Sequence, residues 1–428
     1  MESFKKPSDA VRLFMASAGI FIEGYETAIM TWVILILIPL FNLKNDDIMI
    51  TLLMGAFLIG EMIGMFIIGW LADIFGRRTI YIYDMFFLII VVTLQIILDN
   101  LWIILIMRLF TGILLGADIP VSNSYIAEIA KKDVRGKFLS FASVADNIGY
   151  VAGTIVPLFV FIFMPNSYEL GWRLMLGIPL ILGAIVLYFR LEMPESERWE
   201  MVKGKLLGLE IIKDMFKGLA GKFTIINSII LFLYVMVTDS ISMFLPMIAE
   251  GVYGSNVSNA LLAELAALFL TILALSSIFT MFIVDTTGRK TLQIIGFVGL
   301  GLFLMMAPYL MSSGVLYLIF IAVMAEFFNG MVGTTTGIFP AELTKTEFRG
   351  TTYGFVSFMG NLGSITGIFI LGLGTETLGP STYPIIFAYG AIMLVGALLT
   401  LMLVDITNMD LDQLFEFKMR LEESEEEL

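Results

Sequence analysis

Residues 69–78 read Gly-Trp-Leu-Ala-Asp-Ile-Phe-Gly-Arg-Arg, and residues 285–290 read Asp-Thr-Thr-Gly-Arg-Lys. Each stretch ends one long apolar run and opens another, with an acid, a glycine and two bases in the same order. Gly288 follows Gly76 by 212 positions. A second pair repeats at almost the same distance. Tyr-Ile-Ala-Glu-Ile-Ala-Lys-Lys-Asp-Val-Arg-Gly fills 125–136, and Phe-Pro-Ala-Glu-Leu-Thr-Lys-Thr-Glu-Phe-Arg-Gly fills 339–350, a spacing of 214 in a chain of 428. Two motif pairs at nearly one offset imply a unit duplicated in parallel. Halves of this kind pack about an axis along the membrane normal and place a site between them.

The solvent follows from composition. Hydrophobic residues make up 58% of the chain and charged residues 15%, and the mean hydropathy is +0.93. A soluble domain carries about 25% charged residues, so a bilayer is the expected surrounding. Runs of about 20 apolar residues suffice to cross one. Twelve such runs are read near 11–40, 49–72, 79–98, 101–127, 138–164, 171–190, 223–250, 260–284, 291–312, 314–341, 351–374 and 381–405. The fold class expected is an all-α membrane protein of twelve transmembrane helices in two parallel six-helix repeats. Its parts are an N-terminal half at 1–190, a linker with short helices at 191–222, a C-terminal half at 223–405 and an acidic tail at 406–428. The first run lacks a cleavage site and reads as a retained span rather than a signal peptide.

Charge sets the orientation. With the N-terminus inside, 22 of the 25 Lys and Arg fall in cytoplasmic segments, leaving Lys44, Arg173 and Arg108. This asymmetry predicts a multi-pass cell-membrane protein with both termini cytoplasmic. The chain holds no Cys and no His. That removes disulfides, thiol nucleophiles, Ser-His-Asp triads and His–metal centres, and leaves carboxylates to carry any proton. No phosphate-cradling glycine loop is present, so direct ATP use is not expected. The net charge of −13 argues against nucleic acid. No cofactor, metal or enzymatic activity is expected; the partners expected are a small-molecule solute, protons and the lipid bilayer, with the chain a monomer.

Together these residues resemble the major facilitator superfamily, and within it the sugar porter family of sugar:proton symporters. The Asp73–Gly76–Arg77–Arg78 loop resembles the superfamily signature after the second helix. Pro194-Glu195-Ser196-Glu197-Arg198-Trp199 resembles the sugar porter mark after the sixth. Glu128 with Arg135 and Gly136, and Glu342 with Arg349 and Gly350, match that family's loops. The resemblance implies a carrier working by alternating access, with a cytoplasmic gate built from Asp73, Gly76, Arg77, Arg78, Glu128, Arg135, Glu195, Arg198, Asp285, Arg289, Glu342 and Arg349. Pairs between Glu128 and Arg135, or Glu342 and Arg349, would close that gate and break as the halves rock. Anchoring of short loops is the plainer reading of the same charges.

Ionisable groups inside a span cost about 2.5–3.5 kcal/mol each and persist with a partner or in a wet cavity. Glu23 and Glu26 share a face of the first span. Gly24-Tyr25-Glu26 resembles the Gly-Tyr-Asp segment of sugar:proton symporters, whose acid takes the coupling proton and pairs with an arginine of the fourth helix. By motif position these are Glu26 and Arg108, with Glu23 an alternative carrier. Arg108 is read as the one deep cation. Candidate solute ligands are Asp146, Asn147, Asp239, Glu326, Asn329 and Asn361. Glu61 and Glu264 read first as helix-contact groups, and Asp118 is a further acid of the fourth span.

The amides of the usual sugar site are missing: Ser143, Leu233 with Tyr234, and Val332 stand in their places. Carboxylates accept hydrogen bonds from hydroxyls and attract cations, whereas an anion calls for free arginine or lysine. The function expected is therefore proton-coupled uptake of a small polyhydroxylated solute such as a sugar or polyol. An organic cation or organic acid, and a solute sensor that does not transport, remain as alternatives.

Overall fold

The computed structural model describes residues 8–43, 48–164, 167–205, 208–243, 259–310, 315–378, 383–411 and 413. It is helical, with no strand among these residues. The first six long helices are α1 (Asp9–Leu40), α2 (Ile48–Phe75), α3 (Arg77–Ile97), α4 (Leu101–Ile129), α5 (Arg135–Phe163) and α6 (Tyr168–Arg190). Short helices α7 (Glu197–Val202) and α8 (Leu209–Asp214) follow. The second set is α9 (Gly218–Met243), α10 (Asn259–Thr287), α11 (Arg289–Leu310), α12 (Val315–Thr336), α13 (Ile338–Glu342), α14 (Arg349–Leu378) and α15 (Tyr383–Thr400). Among the described residues eleven helices are long and apolar enough to cross a membrane, and Pro384–Thr400 is a shorter apolar helix.

Local chemistry fixes the ends. Ser8 caps α1 by accepting from Val11 N, and Asn100 caps α4 by accepting from the amides of Trp102 and Ile103. Side-chain caps of this kind satisfy otherwise orphaned N–H groups. Gly76 and Gly288 adopt φ of +100° and +94° in the tight links α2–α3 and α10–α11, a region open to glycine at little cost. The run near 314–341 is not one helix. It breaks between Thr336 and Ile338 because Pro340 lacks an N–H and its ring would meet the carbonyl of Thr336. At the end of α15, Lys290 Nζ donates to the carbonyls of Leu401 and Leu403.

The two sets pack alike. In the first, α2 lies on α4, α1 on α5, and α3 on α4 and α6; in the second, α10 lies on α12, α9 on α14, and α11 on α12 and α15. The sets meet along two seams, α2 with α14 and α5 with α10. Glycine makes the pairs close. A Cβ on Gly60 or Gly64 would lie 2.1 or 2.0 Å from a backbone oxygen of α4, and one on Gly112 or Gly116 would lie 2.1 or 2.4 Å from an oxygen of α2. Gly149 and Gly153 meet α1 in the same way, and Gly363 and Gly367 meet α9. Without a hydrophobic drive between helices in lipid, this backbone approach supplies the packing. Large apolar side chains such as Phe86, Trp102, Ile162 and Phe282 stay exposed on the outer surface.

Candidate functional site

The tight α2–α4 pair brings Arg108 beside α1. Arg108 Nη1 pairs with Glu26 Oε2, and its Nη2 donates to the Glu26 carbonyl at 3.3 Å. The guanidinium carbon sits 4.6 Å from the centre of the Phe57 ring. Both side chains are 1% exposed, so the pair is sealed between α1, α2 and α4. The ring face and the carbonyl can hold the cation even when Glu26 is neutral.

One turn earlier on α1, Glu23 reaches a second group of acids. It lies within hydrogen-bonding reach of Asp146 on α5 and Glu61 on α2, and Thr27 Oγ1 donates to Glu23 Oε1 at 3.0 Å. Gly24 makes this possible, because a Cβ there would be 2.3 Å from the Asp146 carbonyl. Glu61 also faces Asn361 of α14 across the seam. Glu61 thus meets groups of both α1 and α14, which its position in the sequence did not reveal.

In the second half, Asp239 is exposed and faces Ser364. Tyr234 donates to Asn329 Oδ1 at 2.7 Å, and Asn329 Nδ2 donates to Glu326 Oε2 at 2.9 Å, linking α9 to α12. Asn147 Nδ2 donates to Ser277 Oγ at 2.8 Å across the α5–α10 seam. Asn361 Nδ2 contacts Met65 Sδ at 3.7 Å across the other seam. The structure therefore gathers Glu23, Glu61, Asp146, Asn147, Asp239 and Asn361 near the seams, with Glu326 and Asn329 behind Tyr234. Glu264 stands apart, exposed at the start of α10. Sequence reading places Tyr234 only where a family amide would stand and does not mark Ser277 or Ser364; a hydroxyl in an apolar span is too common a sight to identify a partner.

At the end of the bundle that holds the start of α1, the motif residues form one network with approximate two-fold symmetry. Asp73 accepts from Gly350 N at 3.1 Å and Thr351 N at 2.7 Å, at the start of α14. Asp285 accepts from Gly136 N at 3.0 Å and Lys137 N at 2.8 Å, at the start of α5. Each acid thus caps a helix of the opposite half, where bare N–H groups and the helix dipole favour an anion. Arg77 bridges Asp73 and Glu128 at 2.8 and 2.9 Å, and Arg289 bridges Asp285 and Glu342 at 3.1 and 2.9 Å.

The remaining arginines correct the pairing expected from the sequence. Arg135 binds Glu342 at 2.7 Å and Arg349 binds Glu128 at 2.9 Å. Both bonds run between the halves, not within one motif. The two-fold relation brings the start of α5 against α13 and the start of α14 against α4, which chain proximity cannot disclose. Glu195 accepts from the amides of Arg77 and Arg78 at 3.1 Å each and Ser196 at 2.9 Å. Burial raises its carboxyl above the ordinary range, and these amides oppose that shift. Arg78 itself donates to the Leu191 carbonyl, and Arg198 pairs with Asp410 at 3.0 Å.

A further correction concerns Arg108, which is not alone. Arg190, at the end of α6, is wholly buried between Asp84 and Asp118. A base next to a polar loop reads as a loop charge, so the chain pattern marks neither Arg190 nor its partner Asp84.

Residues 11–214 match the family model for the sugar (and other) transporters, and 228–414 match that of the major facilitator superfamily. The chain belongs to the major facilitator superfamily. The inner membrane metabolite transport protein YgcS of Escherichia coli is 25% identical, over 80% of this chain and 79% of that protein. The repressible high-affinity phosphate permease of Neurospora crassa is 27% identical, over 72% and 67%. A protein named probable polyol transporter 6 of Arabidopsis thaliana is 33% identical, over 46% and 40%. The proton:xylose symporter XylE, solved with 6-bromo-6-deoxy-D-glucose, superposes with a TM-score of 0.81 at 19% identity, covering 96% of this chain and 98% of XylE. This superfamily chain is a multi-pass membrane transporter of sugar-porter type and not an enzyme.

Proposed function

We propose that the protein is a proton-coupled carrier that takes up a small polyhydroxylated solute, a sugar or polyol, by alternating access. In this reading the end bearing the arginine network is cytoplasmic, as are both termini, and the network is the gate that holds the carrier closed on that side. The sealed Glu26–Arg108 pair carries the coupling. A proton reaching Glu26 from outside neutralises it, and Arg108 falls back on the Glu26 carbonyl and the Phe57 ring. The freed pair lets α1 and α4 shift, the halves rock, and loss of the proton inside restores the pair.

The solute lies at the seams. Asp146, Asn147, Asp239, Glu326, Asn329 and Asn361 offer the acceptors and amides that hydroxyl groups seek. Among the described residues every wholly buried arginine is already held by a carboxylate, which disfavours an anion. The excess of carboxylates supports an organic cation as the second reading.

A solute screen in proteoliposomes, with and without an imposed proton gradient, tests both. Gradient-dependent accumulation of a sugar or polyol is expected. Accumulation of ammonium compounds alone favours the second reading, and uptake indifferent to the gradient refutes proton coupling.

A further inference from the structure

The arginine at the end of α6 holds two acids, and the coupling scheme uses neither. Arg190 Nη2 lies 2.8 and 2.9 Å from the two oxygens of Asp118 on α4, and Nη1 lies 3.3 Å from Asp84 Oδ1 on α3. All three side chains are 2% exposed or less. Asp118 is fully engaged, since Ser122 Oγ also donates to it at 3.0 Å. Asp84 has the longer contacts to Arg190, and its Oδ1 also accepts from Met85 N. The other ionisable neighbours are Tyr81, whose ring centre is 4.2 Å from the guanidinium carbon, Tyr125 stacked edge-on against Tyr81, and Glu23 on α1. None of them supplies a second positive charge. Two buried carboxylates against one cation leave one negative charge uncompensated, and an unpaired buried ion is strongly disfavoured. A proton is the smallest group that removes it.

Position gives this centre a role. On α1, Gly19, Glu23 and Glu26 share one stripe. Gly19 is the point of contact with the triad, because a Cβ there would be 1.2 Å from Asp118 Oδ2 and 2.7 Å from Arg190 Nη2. From Gly19 to Glu26 the helix rises about 10 Å. Carboxyl groups therefore run down α1 from the Glu26–Arg108 pair, through Glu23, to Asp118 and Asp84. Below them, Tyr125 donates to the Pro194 carbonyl beside Glu195. Among the described residues Tyr81 Oη and Arg190 Nε are buried without a hydrogen-bond partner, so polar atoms with unused capacity flank the triad.

We propose that Asp84, Arg190 and Asp118 form a second proton-binding centre, with the proton on Asp84 while the gate is closed, standing between Glu26 and the cytoplasm as the station through which the coupling proton leaves. This rests on the proton-coupled reading, yet its first test needs no transport. Infrared difference spectra of the purified full chain at neutral pH should show a protonated-carboxyl band that Asp84→Asn removes, Asp84→Glu displaces and Glu26→Gln leaves in place. Arg190→Gln should add a second such band, as both acids then lack their cation.

A band pattern unchanged by Asp84→Asn overturns the centre. If that variant does not fold, a band unmoved in Asp84→Glu does the same. For the relay, Asp84→Asn should lose gradient-driven uptake and keep solute exchange; equal loss of both makes the triad a static tie and overturns the relay. Failure of the coupling itself appears separately, as wild-type uptake indifferent to the gradient with the Asp84 band intact.

Discussion

Replacing Gly354 by alanine should open the gated end. Gly354 of α14 lies against α2, and a Cβ there would be 2.0 Å from the Met65 carbonyl oxygen, 2.9 Å from its carbon and 3.3 Å from Phe66 Cα. All three are backbone atoms, so no rotamer change relieves the overlap. Ordinary contact is about 3.5 Å, which requires the two helices to part by about 1.5 Å. Overpacking of this kind costs about 1–3 kcal/mol. The cost falls on the state in which α2 and α14 touch, and a state that separates them escapes it. The ratio of open to closed carriers should then rise by about 5–150-fold.

The chain has no cysteine, so one reporter thiol is unambiguous. Ser140 is 0% exposed and lies one turn along α5 from Gly136, whose amide binds Asp285 at the opposite seam. In a Ser140→Cys background, Gly354→Ala should speed labelling by a thiol reagent added from the side that bears the arginine network by up to that factor. Labelling that stays equal or slows, in protein that keeps its thermal stability, refutes the idea that the two seams open together as rigid halves rock.

Four further outcomes follow. Glu26→Gln should abolish accumulation driven by a pH gradient while sparing exchange across proteoliposomes; normal accumulation removes Glu26 from the coupling. Asp239→Asn should change which solutes compete for uptake, and an unaltered competition spectrum takes it out of the site. Arg135→Gln leaves Glu342 with Arg289 alone, and loss of a buried partner costs about 3–5 kcal/mol, read as a lower Tm with faster labelling of Ser140→Cys. Because Glu195 holds its proton more tightly in the fold than its usual 4.5, its contribution to stability is full below that value and declines as pH rises through the raised one. The Tm of wild type minus that of Glu195→Gln should therefore fall as pH climbs above about 4.5, and a flat difference refutes the assignment.

Span number, duplication and motif placement were legible in the chain. Apolar runs have one physical use at this length, and the Gly76 and Gly288 links repeat with their charges intact. The neighbours Glu26 and Arg108 were reached through motif position, and their contact depends on Gly60, Gly64, Gly112 and Gly116 letting α2 and α4 close up. The arginine–carboxylate network was legible in membership but not in pairing. Charge pattern identifies Glu128, Arg135, Glu342 and Arg349; only the packed halves decide that each arginine crosses to the other half's acid.

The sequence by itself therefore determined a twofold-repeated helical bundle for lipid, with buried charges that require partners. It could do so because hydropathy, glycine links and basic loops are properties of the chain read locally. The tertiary structure alone decided which charges meet: Glu23 with Glu61 and Asp146, Arg190 with Asp84 and Asp118, Asp73 with the start of α14. These contacts join residues from different helices. They arise from how helices rotate and cross, and a one-dimensional pattern carries no record of that rotation.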